Sequence, residues 1–280
     1  MTDCNGTNPV DLGLAVAARA GHSCRLPVSG IDIRLRPFSG RDDLLLAEAS
    51  SLGMALAIAL LESLGARSDG SPLDWAALPG TDIDAALLQI RRAVFGDLVS
   101  ADAVCPAQAC GQRIDLRFSL GEFLAHHAPR RLRGVEPAEV EGWFRCAGSS
   151  AMFRPPTGGD IAAAADSTDP ERELLRRCVR PADVPARALR RILRAVEAMA
   201  PSLADELQGE CAECGAAVGL YFDARRFALR ELRDQAAFVY GDTHLLASHY
   251  HWAEADILAL PRNRRIHYVE MLVDDRREVA

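Results

Sequence analysis

Two stretches of the chain alternate between apolar and polar positions. Ile114, Leu116 and Phe118 alternate with Arg113, Asp115 and Arg117, and Val218, Leu220 and Phe222 alternate with Gly219 and Tyr221. A period of two predicts a half-buried strand in each stretch. Elsewhere apolar residues recur at helical spacing. Ile83, Leu87, Ile90, Val94 and Leu98 share one face, as do Val184, Leu189, Ile192, Val196 and Met199. Positions 223–240 carry a third stripe through Phe227, Leu229, Leu232, Ala236 and Val239. Such stripes predict helices packed on a core, and nothing more.

The elements recur in order. Leu35-Arg36-Pro37-Phe38-Ser39-Gly40-Arg41-Asp42 parallels Phe153-Arg154-Pro155-Pro156-Thr157-Gly158-Gly159-Asp160. Each reads as a short strand, an Arg-Pro stop, a turn and an Asp placed to cap a helix. Downstream, Ile90-Arg91-Arg92-Ala93-Val94 lines up with Ile192-Leu193-Arg194-Ala195-Val196. A cysteine pair and then an alternating strand follow in both, and the second Cys stands 8 positions before the strand-end Phe each time. This ordered series predicts an internal duplication.

The fold class expected is therefore α+β, mainly α, with two related halves of strand, helices, cysteine knuckle, strand and helix. The boundaries expected are a flexible arm at 1–29, a first half at 30–127, a linker at 128–140, a second half at 141–240 and a helical C-terminal segment at 241–280. The Gly-, Ser-, Pro- and Asp-rich stretch from Gly65 to Gly80 is expected to be an exposed loop.

Composition narrows the class. Of 280 residues, 49% are apolar and 25% charged, which suits a globular protein and excludes a disordered tail or a collagen-like fibre. The longest apolar run, Met54 to Leu61, falls far short of the ~20 residues of a membrane helix. The N-terminus shows no basic and apolar leader pattern, so a bacterial cytoplasmic location is expected. No lysine occurs, so all 32 basic residues are arginine. That excludes Schiff-base and phosphate-loop lysines and leaves planar forks suited to carboxylates. The formal net charge of −7 opposes a nucleic-acid polycation. Basic runs at Arg130 to Arg133 and Arg262 to Arg265 read as solvated faces.

The cysteines carry the clearest chemistry. Cys105-Pro106-Ala107-Gln108-Ala109-Cys110-Gly111 and Cys211-Ala212-Glu213-Cys214-Gly215 are knuckle-like. Glycine after the second Cys permits the positive φ that turns backbone amides toward sulfur. Each pair supplies two ligands, whereas a structural zinc takes four at ~2.3 Å. One Cys4 zinc site shared by Cys105, Cys110, Cys211 and Cys214 is the economical expectation. The alternative completes each pair locally, with His126 or His127 for the first and His244 or His249 for the second. A redox role fits less well, because each pair precedes a strand and does not open a helix. Cys4, Cys24, Cys146 and Cys178 lack partner spacing and read as ordinary thiols. No HExxH, GxSxG, GxGxxG or phosphate-loop pattern occurs, and the pairs Asp42/Asp43 and Asp274/Asp275 read as caps and tails. No catalytic residue is expected.

The C-terminal block joins large aromatics to arginines. His249-Tyr250-His251-Trp252 precedes a short helix with Leu258 and Leu260, Pro261 stops it, and Arg262-Asn263-Arg264-Arg265-Ile266-His267-Tyr268 follows. Aromatics with Arg are the composition of interface anchors. Tyr250, Trp252, Leu258, Leu260, Arg264, Arg265 and Tyr268 are therefore candidate partner-binding residues. A helical hairpin docked on its own core is the competing reading. This tail, with Tyr-x-Trp-x-Glu-x-x-Ile-Leu-x-Leu-Pro, and the Phe153 to Asp160 element resemble the T4-type baseplate hub assembly family of contractile phages and phage-tail-like injection systems. The resemblance covers roughly 150–272, and the first half only through the duplication. It implies a non-enzymatic cytoplasmic factor that helps build a baseplate or hub, contacting other baseplate, hub or tail proteins. A zinc-ribbon-like regulatory or nucleic-acid-binding module is the alternative expectation.

Overall fold

The computed structural model describes residues 22–279, with side chains described up to Asp274. Residues 1–21, including Cys4, lie outside the described residues, as does the side chain of Asp275. The fold is α+β and mainly helical, at 48% helix against 21% strand.

The chain opens with β1 (His22–Arg25) and β2 (Asp32–Leu35), an antiparallel pair extended by β3 (Gly65–Arg67) in the order β1-β2-β3. Positions 22–29, expected in the arm, are thus a sheet strand and the turn that follows it. Asp82 fastens their turn by accepting the backbone N–H groups of Val28 at 2.7 Å and Ser29 at 2.9 Å. Helices α1 (Gly40–Glu48) and α2 (Met54–Leu64) lie between β2 and β3. The expected loop at Gly65 to Gly80 is only partly exposed. It carries β3 and a 3-10 turn at Trp75–Ala77, and the Trp75 indole is fully buried with Nε1 donating to the Gly65 carbonyl. The missing apolar period hid one large anchor.

Helix α3 (Gly80–Phe95) follows, then the hairpin β4 (Leu98–Val104) and β5 (Arg113–Ser119). Leu98, expected on the α3 face, begins the hairpin instead. Gly96 turns the chain at φ +87°, and the Arg91 guanidinium donates to the carbonyls of Gly96 and Leu98. After α4 (Leu120–His126), the strands β6 (Val135–Pro137), β7 (Phe144–Cys146), β8 (Met152–Phe153) and β9 (Val179–Arg180) form an antiparallel sheet in that order. The expected linker at 128–140 therefore contributes an edge strand. Within and after this sheet come α5 (Gly158–Ala165), α6 (Pro170–Cys178) and α7 (Ala186–Met199). The second hairpin joins β10 (Ala204–Glu210) to β11 (Ala217–Asp223), again with seven paired positions. The stripe at 223–240 is split between α8 (Ala224–Ala236) and α9 (Val239–Tyr250). Helices α10 (Glu254–Ala259) and α11 (Arg262–Val279) complete the chain.

The largest core is shared across the expected halves, while Cys146, Ala151, Phe153, Val179, Ile192 and Ala195 form a smaller cluster of their own. Leu203, Phe222, Leu229 and Leu232 are buried in the same cluster as Ile33, Leu46, Leu60, Trp75 and Leu87. Burying these side chains together is the main stabilising term. Arginine forks reinforce the junction. Arg225 on α8 grips Asp84 on α3 at 2.7 and 2.9 Å, and Arg91 on α3 meets Glu231 on α8 at 2.6 Å.

The Arg-Pro element is built twice with one geometry. Arg36 donates both Nη atoms to Asp42, and Arg154 donates both to Asp160. Each carboxylate also accepts the backbone N–H and hydroxyl of its helix cap, Ser39 or Thr157, at 2.8–2.9 Å. Each element then pairs with a Leu-Pro helix entry. Arg262 N–H donates to Phe38 while Gly40 N–H donates to Leu260; Gly80 N–H donates to Pro156 while Gly158 N–H donates to Leu78. The second Arg-Pro element thus docks on the start of α3, and the first on the start of α11.

Burial acts to raise the Asp160 carboxyl, but Arg154 and the Thr157 donors outweigh it and hold it at about 2. A carboxyl depressed below its unfolded value stabilises the fold above about pH 4, and the contribution is lost as pH falls toward about 2. Asp160→Asn is expected to lower unfolding stability by ~2 kcal/mol at pH 7. In denaturant titrations at successive pH values, its deficit against the parent chain should shrink as the pH drops below 4. A deficit independent of pH would contradict the ion pair.

Candidate metal centre

Each cysteine pair sits at the tip of a hairpin. In the first, Cys105 N–H donates to the Gln112 carbonyl and Cys110 N–H to Ala107, both at 2.9 Å. In the second, Cys211 N–H donates to Ala216 at 2.9 Å and Gly215 N–H to Cys211 at 2.8 Å. Gly111 and Gly215 take φ of +60° and +69°, as the knuckle reading expects. An added Cβ would meet nothing within 4 Å at either position, so glycine is needed for its backbone conformation and not for space.

The tips meet. The sulfur ligand atoms of Cys105, Cys110, Cys211 and Cys214 lie within 4.8 Å of one another. Across the hairpins, Cys105 Sγ is 3.6 Å from Cys214 Sγ, and Cys110 Sγ is 3.9 Å from Cys211 Sγ. Cys105 and Cys211 are buried, Cys110 is half-buried and Cys214 is exposed. Small apolar groups surround them, with Val218 buried and Ala103, Ile114, Leu116 and Ala216 packed around. Four soft donors with this spread are compatible with a metal site.

The backbone N–H groups of Cys214 and Glu213 point at the Cys211 sulfur and hold it down at about 7. Backbone contacts also pull on Cys105, Cys110 and Cys214, yet burial and neighbouring thiols raise all three. A cation bound there would displace the thiol protons, so its affinity would rise with pH.

The histidine alternative is not built. His127 Nδ1–H donates to the Phe123 carbonyl and Nε2 meets Asp205, while the ring packs on Phe123. His126 packs edge-on against His127, and His249 packs against Tyr250. Among the described residues, the four cysteines form the single grouping of three or more potential ligands. Of the other thiols, Cys24 is pushed up to about 11 and Cys178 to about 12, in each case chiefly by burial, with a nearby aspartate adding to it. Cys146 is buried beside Phe153 and Val179.

The hairpins are joined at their base as well. Phe118 and Phe123 both stand edge-on to Phe222 with ring centroids 5.0 Å away, and Phe227 packs against it, tilted, at 5.1 Å. Aromatic contacts at one end and sulfur at the other fix the hairpins side by side.

The candidate partner-binding residues separate into two groups. Leu258 and Arg265 are buried within the fold and present nothing to a partner. Arg265 donates to Asp43 and, at 3.1 Å, to Asp242; Arg262 donates Nε to Asp43 at 2.8 Å and lies over the Phe38 ring. The basic run at Arg262 to Arg265 is therefore no solvated face: two of its three arginines neutralise a fully buried Asp43. Gly40 makes room for this packing, since a Cβ there would come within 2.8 Å of both Arg265 Nη1 and the Leu258 backbone. Tyr250 and Trp252 stack at 4.8 Å, Tyr268 stands edge-on to Trp252 at 5.3 Å, and Arg264 reaches the Tyr268 hydroxyl at 3.2 Å. Leu260 is half-buried. This is the docked hairpin of the competing reading, with Trp252 and Arg264 left at its surface.

The Asp43 clamp went unseen in the sequence, where Asp42/Asp43 read as a cap. The cap is Asp42 alone. The available signal was the i, i+3 spacing of Arg262 and Arg265, which puts both forks on one helix face.

No protein-family model, curated protein or solved structure matches the chain.

Removing the clamp carboxylate leaves the buried Arg262 guanidinium without its carboxylate and Arg265 with Asp242 alone. Asp43→Ala is expected to cost about 3–5 kcal/mol. Limited trypsin digestion should then cut first around Arg262 to Arg265, before any site in α3. Parent-like stability and cleavage order would contradict the clamp.

Proposed function

We propose that this chain is a non-enzymatic assembly factor, or a minor structural component, of the baseplate or hub of a contractile phage-tail-like particle. It acts through protein contacts and carries one structural zinc. The observation that carries the non-enzymatic part is the four-sulfur cluster. A tetrahedral zinc shell filled by Cys105, Cys110, Cys211 and Cys214 keeps no position for water or substrate. The metal would join two hairpins about 100 residues apart in the chain and so hold the halves in register. Thiolates favour zinc among abundant divalent ions. The particle assignment draws support from the sequence of the C-terminal block and the Phe153 to Asp160 element. The nucleic-acid alternative is weakened because Arg262 and Arg265 are spent on Asp43.

Two measurements test the parts separately. Metal analysis of purified protein is expected to give about one zinc per chain, and Cys211→Ser near zero. Chelation should lower the melting temperature by ~10 °C, on a scale of a few degrees per kcal/mol. Two zincs per chain, or none, would refute the shared site. Purification of the tagged full chain from cells making the particle should bring tube, sheath, spike or baseplate proteins with it. Their absence would refute the particle reading, and salt-sensitive retention of nucleic acid would favour the alternative.

A further inference from the structure

A cavity of about 430 Å³ lies where the first Arg-Pro element meets the start of α11. That volume is within the range of ligand sites. Its walls are apolar, from Leu35, Pro37, Phe38, Ile90, Ala93 and Val94. Its polar side is basic, from Arg36, Arg262 and Arg264 with His22 and His267, and no carboxylate lines it. In a chain of net charge −7, that sign is unusual.

The charges can be counted. Arg36 is neutralised by Asp42. Arg262 and Arg265 are balanced by Asp43 and Asp242. Arg264 meets only the Tyr268 hydroxyl and ring among the described residues, so one cation is left over. Arg262 lines the same cavity with a side chain 8% exposed, its guanidinium turned to Asp43. The positive end of the 18-residue α11 adds the same sign, since Arg262, Asn263 and Arg264 of its first turn line the cavity.

We propose that this cavity binds the apolar, carboxylate-bearing tail segment of a partner protein. The one excess charge, carried by Arg264, matches a single carboxylate, whereas a phosphate would bring more charge than that excess. The apolar walls take the side chains next to that carboxylate, and the carboxylate lies against Arg264 at the start of α11. The inference rests on the reading of the chain as a factor that works through protein contacts, and it names the chemistry of the partner.

The probe is a fluorescein-labelled hexapeptide, Gly-Ser-Leu-Ala-Leu-Leu, with either a free C-terminal carboxylate or an amide. Fluorescence anisotropy with the full zinc-loaded chain should show the acid bound at least tenfold more tightly than the amide. Arg264→Glu reverses the excess charge without touching a buried pair, and should weaken the acid at least tenfold. Ala93→Phe fills the apolar wall and should abolish binding. Melting temperatures report whether each variant remains folded; Arg264→Lys, which keeps the charge, should restore most of the affinity if Ala93→Phe is unstable. Equal binding of acid and amide, no binding of either at millimolar peptide, or unchanged affinity in Arg264→Glu would overturn the inference. Dodecanoate displacing the peptide at far lower concentration would assign the cavity to a lipid and overturn it too. Capture of particle proteins by the parent chain and equally by Arg264→Glu would overturn this inference alone, leaving the broader function standing. Peptide binding as expected with no particle protein captured would instead remove the broader function.

Discussion

Four sulfurs from two distant hairpins have to share one small volume, and much of the architecture follows from that demand. Hairpin tips converge only if the hairpins lie side by side with matched lengths. Both have seven paired positions, and both are held at the other end by the Phe118, Phe123, Phe222 and Phe227 cluster. The strand ends then deliver α8 onto α3, where Arg91 and Arg225 find Glu231 and Asp84. Each of these contacts is modest alone. Their mutual dependence comes from geometry, because a hairpin displaced by one residue would turn its inward side chains to the opposite face. The thiols pair across the hairpins, Cys105 with Cys214 and Cys110 with Cys211, and a four-coordinate cation bound among them would hold the same register.

The all-arginine basic set gains a structural meaning in this setting. Arg36, Arg154, Arg225 and Arg91 each use more than one nitrogen, and each joins elements distant in sequence or closes a helix end. A lysine at these points would offer a single mobile ammonium where the carboxylate presents two oxygens. Composition alone shows which residue is present. The two-point contacts show why an Arg→Lys exchange at Arg154 or Arg225 would not be conservative. The same geometry governs Asp43, where one carboxylate receives two forks in a space closed to water.

What the sequence revealed follows a physical dividing line. Local periodicity located the second strand of each hairpin, β5 and β11, and all three stripe-bearing helical regions, since amphipathic burial is written at short range. The first strands, β4 and β10, were not read. The knuckles were equally legible, because a metal demands fixed ligand types at short spacing. Non-local pairing was not. Nothing within 36–42 announces that its partner is Leu260-Pro261, nor within 154–160 that its partner is Leu78-Pro79, although the Leu-Pro dipeptide itself recurs. Trp75 was hidden for a related reason: a lone aromatic in a Gly- and Pro-rich stretch has no period, so its burial depends on contacts made elsewhere. The boundaries at 128–140 and 22–29 failed because edge strands of three or four residues carry too few alternations to be read.

The C-terminal segment shows why composition identifies an interface without saying whose it is. Tyr250, Trp252 and Tyr268 anchor α9 to α11, while Arg262 and Arg265 anchor α11 to α1 through Asp43. Aromatic and arginine anchors act by the same physics within a chain as between chains: large buried area, few rotamers to order, and charge-assisted hydrogen bonds. Once those anchors are used internally, the surface open to a partner shifts to the side of α11 that carries Arg264 and His267, next to the apolar wall of Ile90 and Val94. Docking the helix on Asp43 is also what brings Arg262 and Arg264 to the wall formed by Ile90 and Val94. The internal clamp and the cavity are therefore coupled, because releasing the Asp43 contacts would take away the wall that the start of α11 supplies.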